Sequence, residues 1–192
     1  MAGADRYDAI HRSFRWQVPA RFNIAEVCCT RWARDTPDAV AVRIELADGS
    51  RLRVSYGQLQ RQADRAANAL RTLGVRRGDR VAIVMPQRIE TAVAHVAVYQ
   101  LGAVAMPLSM LFGADALQYR LQDSGAVCAI ADESAIHNLI AARADAPALR
   151  HVLAVAAAQG QGDVNWLPAL RAALHKHVAE TNRLIDHPSF RL

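Results

Sequence analysis

Arg88 and Glu90 are the residues whose types and position best suit ligand contact. They open an almost wholly apolar segment, directly after the run R-V-A-I-V-M-P at 80–86. An arginine fork can make paired hydrogen bonds to phosphate or carboxylate oxygens. A helix that begins at the carboxyl edge of a parallel sheet turns its first N–H groups toward the same anion. The two residues are therefore the best candidates for ligand contact; the plainer reading is an Arg–Glu surface pair. Other constellations offer less. The seven histidines contain no H-x-x-x-H or H-E-x-x-H spacing, and His175 and His177, two apart, face different sides of a helix, so no metal site is expected. His95, within the apolar segment, reads as a satisfied core residue rather than a base. No serine occupies a G-x-S-x-G elbow, and G-Q-G at 160–162 is too short for a phosphate loop. Glu45, Asp48, Asp132 and Glu133 read as solvated carboxylates with no reason to share a cleft.

Composition narrows the classes. With 192 residues and 52% hydrophobic content the chain can bury a real core, which excludes a disordered tail or a small disulfide scaffold. Residues 1–80 hold 15 of the 23 basic side chains and 9 of the 18 acids, so the first part carries +6 and the remainder −1. Lys176 is the sole lysine, and a surface biased to arginine in this way is either simply solvated or reads phosphate. Nucleic acid is excluded as a partner, because only 6% of residues are aromatic and no recognition motif is present. Cys28, Cys29 and Cys128 leave one thiol over in any pairing and lack the C-x-x-C spacing of a zinc site, which points to a reducing compartment with the thiols as small core residues. The first residues are charged and carry no signal peptide pattern, so a cytoplasmic location is expected. The longest apolar run, 91–112, is broken by His95, Gln100 and Pro107, which argues against a membrane span.

These residues need elements to position them. Residues 1–22 have no clear period and read as a surface arm whose Tyr7, Phe14, Trp16 and Phe22 pack against something. A helix follows from Asn23, with Glu26 placed as in a capping box and Pro37 beyond its end. Ala39 to Leu46 and Arg51 to Ser55 form a hairpin around Asp48 and Gly49. Ser55 caps a helix whose Leu59, Ala63, Ala66, Ala67, Leu70 and Leu73 recur at steps of three and four until Gly74. Arg80 to Met85 is a strand buried on both sides, and Ile89 to Leu101 is an internal helix. Gly102 ends that helix. Strands then follow at Ala103 to Met106, Val127 to Ile130 and His151 to Val155, with helices at Ala114 to Gln122 and 133–144 between them. Such alternation predicts an α/β fold: a three-layer sandwich with a mostly parallel sheet and the early hairpin on its edge. Beyond Val155 a loop precedes a helix from Trp166 to His177, and residues 178–192 have no evident partner. The chain thus divides into an arm at 1–22, an α/β unit at 23–155, and a loop, helix and unassigned tail at 156–192.

Three stretches, in this order and spacing, resemble the amino-terminal part of the adenylate-forming enzymes, a family of acyl-CoA synthetases, adenylation domains and luciferases. They are V-S-Y-G-Q-L at 54–59, G-V-R-R-G-D-R-V at 74–81 and Y-Q-L-G-A-V-A-M-P-L at 99–108. R-F-N-I-A-E at 21–26 and P-D-A-V-A-V at 37–42 fit the same pattern, so the resemblance covers roughly 21–155. The continuation at 109–126 is similar to acyl-CoA synthetases of the acetate and medium-chain type. The resemblance implies an incomplete first part of that family's large domain. It also implies a parent enzyme that couples a carboxylic acid to coenzyme A through an acyl-adenylate, using ATP and magnesium.

The departures decide what this chain does. Attack of a carboxylate on the α-phosphate develops charge, which the family stabilises with a Ser/Thr/Gly-rich loop ending in lysine. No such loop is present: H-K-H around Lys176 has no Ser or Thr, and the nearest upstream glycine is Gly162. The matching residues Tyr56, Gly78, Asp79, Gly102 and Pro107 are scaffold, and no catalytic residue transfers from the family. The expectation is therefore an amino-terminal fragment, inactive alone and needing no cofactor of its own. It would pair with the remaining part of the synthetase, or self-associate through an exposed apolar face. The alternative is a non-catalytic coenzyme- or partner-binding module on the same scaffold.

Overall fold

The computed structural model describes residues 6–17, 19–20, 22–45 and 48–173. Lys176, His175, His177 and the tail at 178–192 lie outside them. At its centre are five strands, β3 (Arg80–Val84), β4 (Val104–Pro107), β5 (Cys128–Ala131), β6 (His151–Ala154) and β7 (Val164–Asn165). They lie in the order β4-β3-β5-β6-β7, and every neighbouring pair is parallel. The antiparallel hairpin of β1 (Val40–Glu45) and β2 (Arg51–Ser55) forms a two-stranded sheet of its own.

A parallel sheet needs helices on both faces, and the sequence supplies strands with no polar side. In β3, Val81 and Ile83 enter one core while Ala82 and Val84 enter the other. The same alternation sends Cys128, Ile130 and Leu153 to the first core, and Ala129, Ala131, Val152 and Ala154 to the second. The first core is covered by α3 (Tyr56–Thr72), α4 (Ile89–Gln100) and α7 (Trp166–Ala172), the second by α5 (Ala114–Ser124) and α6 (Ile136–Arg143). Ala63, Ala66 and Ala67 on α3 and Ala94 and Ala97 on α4 lie together in that first core. Small side chains let two helix axes approach closely, to about 8 Å at the near limit.

Helix ends follow local chemistry. Ser55 and Gln58 exchange reciprocal side-chain to backbone hydrogen bonds, a complete capping box for α3. Gly125, at φ +59°, closes α5, and the guanidinium of Arg80 donates to the Ser124 and Gly125 carbonyls at 2.6 and 2.8 Å. That guanidinium lies 2.8 Å from where a Cβ on Gly125 would stand, so two separate constraints select glycine.

Several sequence expectations need correction. Asn23 does cap its helix, its Oδ1 accepting from the Ala25 and Glu26 N–H groups. Glu26 does not complete the box, because its carboxylate pairs with Arg34 at 3.3 Å. The segment then passes through a π-helical turn, Glu26–Thr30, into the short α2 (Arg31–Asp35). Within the arm lies a helix, α1 (Arg6–Ser13), that the sequence reading did not foresee, and it has no buried residue. Residues 156–173 add β7 and α7 to the same sandwich, with Trp166 and Leu170 in the first core.

At the sheet's far edge Arg143 grips both oxygens of Asp163 at 2.8 and 2.7 Å, and the Val152 N–H donates to the same carboxylate at 2.8 Å. Desolvation alone would raise the Asp163 pKa. The Arg143 hydrogen bond, the Val152 N–H and the charges of Arg143 and His151 outweigh it and hold the pKa below the ordinary value. A depressed folded pKa means a contribution that is present above the unfolded value, about 3.9, and lost as pH falls through the folded one. Stability should therefore drop below about pH 4, and Asp163→Asn should flatten that part of the profile in urea melts. An unchanged acid limb would refute this account.

Candidate functional site

Ligands of open α/β sheets gather at the carboxyl edge, where two neighbouring strands send their connections in opposite directions. Here that point falls between β3, whose chain leaves toward β4, and β5, whose chain leaves toward β6. Arg88 follows β3 and Asp132 follows β5, so the two meet across this crevice. Arg88 Nη1 donates to Asp132 Oδ2 at 2.9 Å, and Arg88 Nε donates to Glu90 Oε2 at 2.8 Å. Glu133 stands 3.8 Å from Nη1.

The sequence reading treated Asp132 as solvated; it is 1% exposed. Burying a carboxylate is costly unless it is paired and hydrogen-bonded, and every oxygen is provided for. Oδ1 accepts from the Ser134 hydroxyl at 2.5 Å and the Ser134 N–H at 3.1 Å. Arg88 and Glu90 are each 24% exposed, a half-buried pair rather than a surface one. The Glu90 hydrogen bond raises the Arg88 pKa above its ordinary value, desolvation opposes it, and the bond to Asp132 adds to the rise. Glu45 and Asp48 are exposed as expected, far along the chain in the hairpin.

A loop at 108–113 borders the cluster. Asn138 on α6 donates to the Phe112 carbonyl at 3.3 Å, Ser134 Oγ lies 3.8 Å from Met110 Sδ, and Arg120 stacks on the Phe112 ring at 4.1 Å. Leu111 at the loop's tip is 86% exposed. Ser134 and Asn138 are not singled out from the sequence, and Asp132 is read there only as a solvated carboxylate. Their one signal was position: Asp132 follows C-A-I-A much as Pro86 follows R-V-A-I-V-M, each the first break after a buried strand.

Elsewhere the titratable groups have ordinary structural roles. His95 is half-buried rather than fully enclosed, with Nδ1 at 2.9 Å from the Thr91 carbonyl. Since that carbonyl can only accept, Nδ1 carries the proton. Cys29 and Cys128 are fully buried, and both thiols are pushed up to about 12, by burial above all and at Cys29 also by the Cys28 and Asp64 charges. Cys28 departs from the expected core placement, because it is exposed. Among the described residues no group of three or more His, Cys, Asp or Glu could hold a metal ion.

Two tests follow from this geometry. Arg88→Met should cost about 3 kcal/mol, since it strands a buried carboxylate, whereas Arg88→Met with Asp132→Asn should recover most of the loss. Strict additivity of the two changes in denaturant melts would show that the pair is not coupled. An aromatic disulfide reagent should modify a single thiol in the native chain, and Cys28→Ser should abolish that reaction. Rapid labelling of two or more thiols without unfolding would contradict the burial.

Comparison with known proteins places this arrangement. The family described as AMP-binding enzyme matches residues 29–182. An acetyl-coenzyme A synthetase of Ralstonia nicotianae is 37% identical over 166 residues, covering 80% of this chain and 25% of the relative. That of Cupriavidus taiwanensis is 40% identical over 122 residues, covering 62% of this chain and 18% of the relative. The chain thus spans about a quarter or less of the length of these curated relatives. In fold it resembles an acyl-CoA synthetase of Brucella canis, with a TM-score of 0.73 at 24% identity over 88% of this chain and 32% of that one. The anthranilate CoA ligase AuaEII, solved with anthranoyl-AMP, gives 0.69 at 21% identity over 81% of this chain and 29% of that one. Strand order, sequence motifs and family match agree: the chain belongs to the AMP-binding, adenylate-forming enzymes and corresponds to the amino-terminal part of the acyl-CoA synthetase fold.

Proposed function

We propose that this chain is the amino-terminal portion of an ATP-dependent acyl-CoA synthetase and that the 192 residues do not adenylate by themselves. Such an enzyme converts a carboxylic acid, ATP and coenzyme A into acyl-CoA, AMP and pyrophosphate. The observation that carries the reading is a family scaffold matched over 29–182, in a sequence with no Ser/Thr/Gly-rich loop ending in lysine. The role of the portion is mechanical: it supplies a parallel sheet and its carboxyl-edge loops, against which groups from elsewhere would work.

The residues present do not fit a magnesium-bound triphosphate. Phosphoryl chemistry needs donors and cations aimed at the charge that develops on the α-phosphate. Of the cations near the crevice, Arg88 is already held by Glu90 and Asp132. Glu90 and Asp132 are both engaged by the same guanidinium, so no adenylation step is routed through this site. Arg88 and Glu90 remain candidates for ligand contact only if a phosphate displaces a carboxylate from the fork.

A second reading draws on that placement at the switch point: a non-catalytic module that binds a coenzyme or partner on the same scaffold. Two measurements separate the readings. ATP–pyrophosphate exchange with acetate through octanoate and with benzoate should be silent for the purified chain, and clear turnover would overturn the proposal. Calorimetry with ATP and with coenzyme A should give no saturable heat for a bare portion. Saturable heat that Arg88→Met removes would favour the binding module instead.

A further inference from the structure

Residues 6–16 carry a surface that the synthetase reading leaves unused. Ile10 and Phe14, one turn apart on the same face of α1 and its continuation, are 59% and 53% exposed, and Trp16 is 77% exposed. Phe14 and Trp16 meet edge to face with ring centroids 5.0 Å apart, so the aromatic patch is held together by its own contacts. Arg12 and Arg15 are folded back beside it: Arg12 Nε donates to the Asp8 carbonyl at 3.2 Å, and Arg15 Nη1 to the Arg12 and Phe14 carbonyls at 3.0 and 2.8 Å. Across 6–16 three arginines face one aspartate, and the first 80 residues as a whole carry +6.

We propose that this arm is a reversible docking element for an anionic lipid surface. Two properties favour a lipid layer. Helix α1 has no buried residue and can lie in a headgroup plane with Ile10, Phe14 and Trp16 turned toward the acyl boundary. Tryptophan beside arginine suits that boundary, where the ring sits at headgroup depth and the guanidinium meets lipid phosphate. The positive balance supplies the complementary charge. A similar pairing recurs nearby in the chain, where Arg31 stands 4.8 Å over the ring of the exposed Trp32. The arm is short, so attachment should be weak and dependent on salt.

The test is co-sedimentation of the full chain with vesicles of phosphatidylcholine alone and of phosphatidylcholine mixed with phosphatidylglycerol. Binding should require phosphatidylglycerol and weaken as salt rises. It should fall about tenfold in Phe14→Ser and in Trp16→Ser, because each removes aromatic surface from the lipid boundary. Both side chains are exposed, so circular dichroism should confirm an unchanged fold in each variant. Tryptophan emission should shift to the blue on binding, and Trp16→Phe should remove that shift. Absence of binding to either vesicle, or binding that neither serine variant weakens, would overturn the proposal. Self-association abolished by Phe14→Ser, without vesicle binding, would assign the patch to a second copy and overturn it equally.

Discussion

A parallel sheet has no face it can give to water, and this constraint organises the molecule. Each crossover lays a helix across the sheet, so β3, β5 and β6 must be apolar on both sides, and their residues alternate between the two cores. The right-handed rule for crossovers then decides the layers. The connection from β3 to β4 runs one way and carries α4 on one face. Those from β4 to β5 and from β5 to β6 run the other way and carry α5 and α6 on the opposite face. The reversal creates the crevice between the carboxyl ends of β3 and β5.

A polar group at the foot of that crevice is cut off from water by the layers around it. Asp132 is such a group, and its oxygens are answered by Arg88 and Ser134. The pair joins two βα loops across the switch point, and Ser134 and Asn138 carry the link on to the loop at 108–113. One network of charge-assisted and neutral hydrogen bonds therefore sets the shape of the carboxyl edge. It also ties up the cation that would otherwise face an anionic ligand.

How much of this was legible depended on the range of the interaction involved. The α3 helix could be read from its apolar spacing and the Ser55 cap, and β3 from its unbroken apolar run, because both signals lie within a few residues of one another. Arg88 and Glu90 were singled out by position after β3, and the structure places them at the switch point. Their partner was not found. Asp132 looks like an ordinary loop carboxylate, since nothing within reach along the chain marks it as buried. The two-residue β7 escaped notice for a similar reason: a strand of that length has no period, and only its pairing with β6 defines it. Helix α1 has mixed polar and aromatic residues and buries none, so its pattern carried no signal of a core-facing side.

The sequence alone determined the types of the longer elements, most of their ends, the doubly covered strands and the lack of a lysine-bearing phosphate loop. These rest on local geometry, where side-chain period, caps and glycine conformations act over a turn or two. Tertiary structure alone decided that β3 and β5 lie side by side, although 44 residues separate Arg88 from Asp132 along the chain. It thereby turned a half-exposed arginine and a buried aspartate into one unit. The reason is physical: strand order comes from the competition of whole layers for burial, and a carboxylate's ionic partner is fixed only once those layers have closed around it.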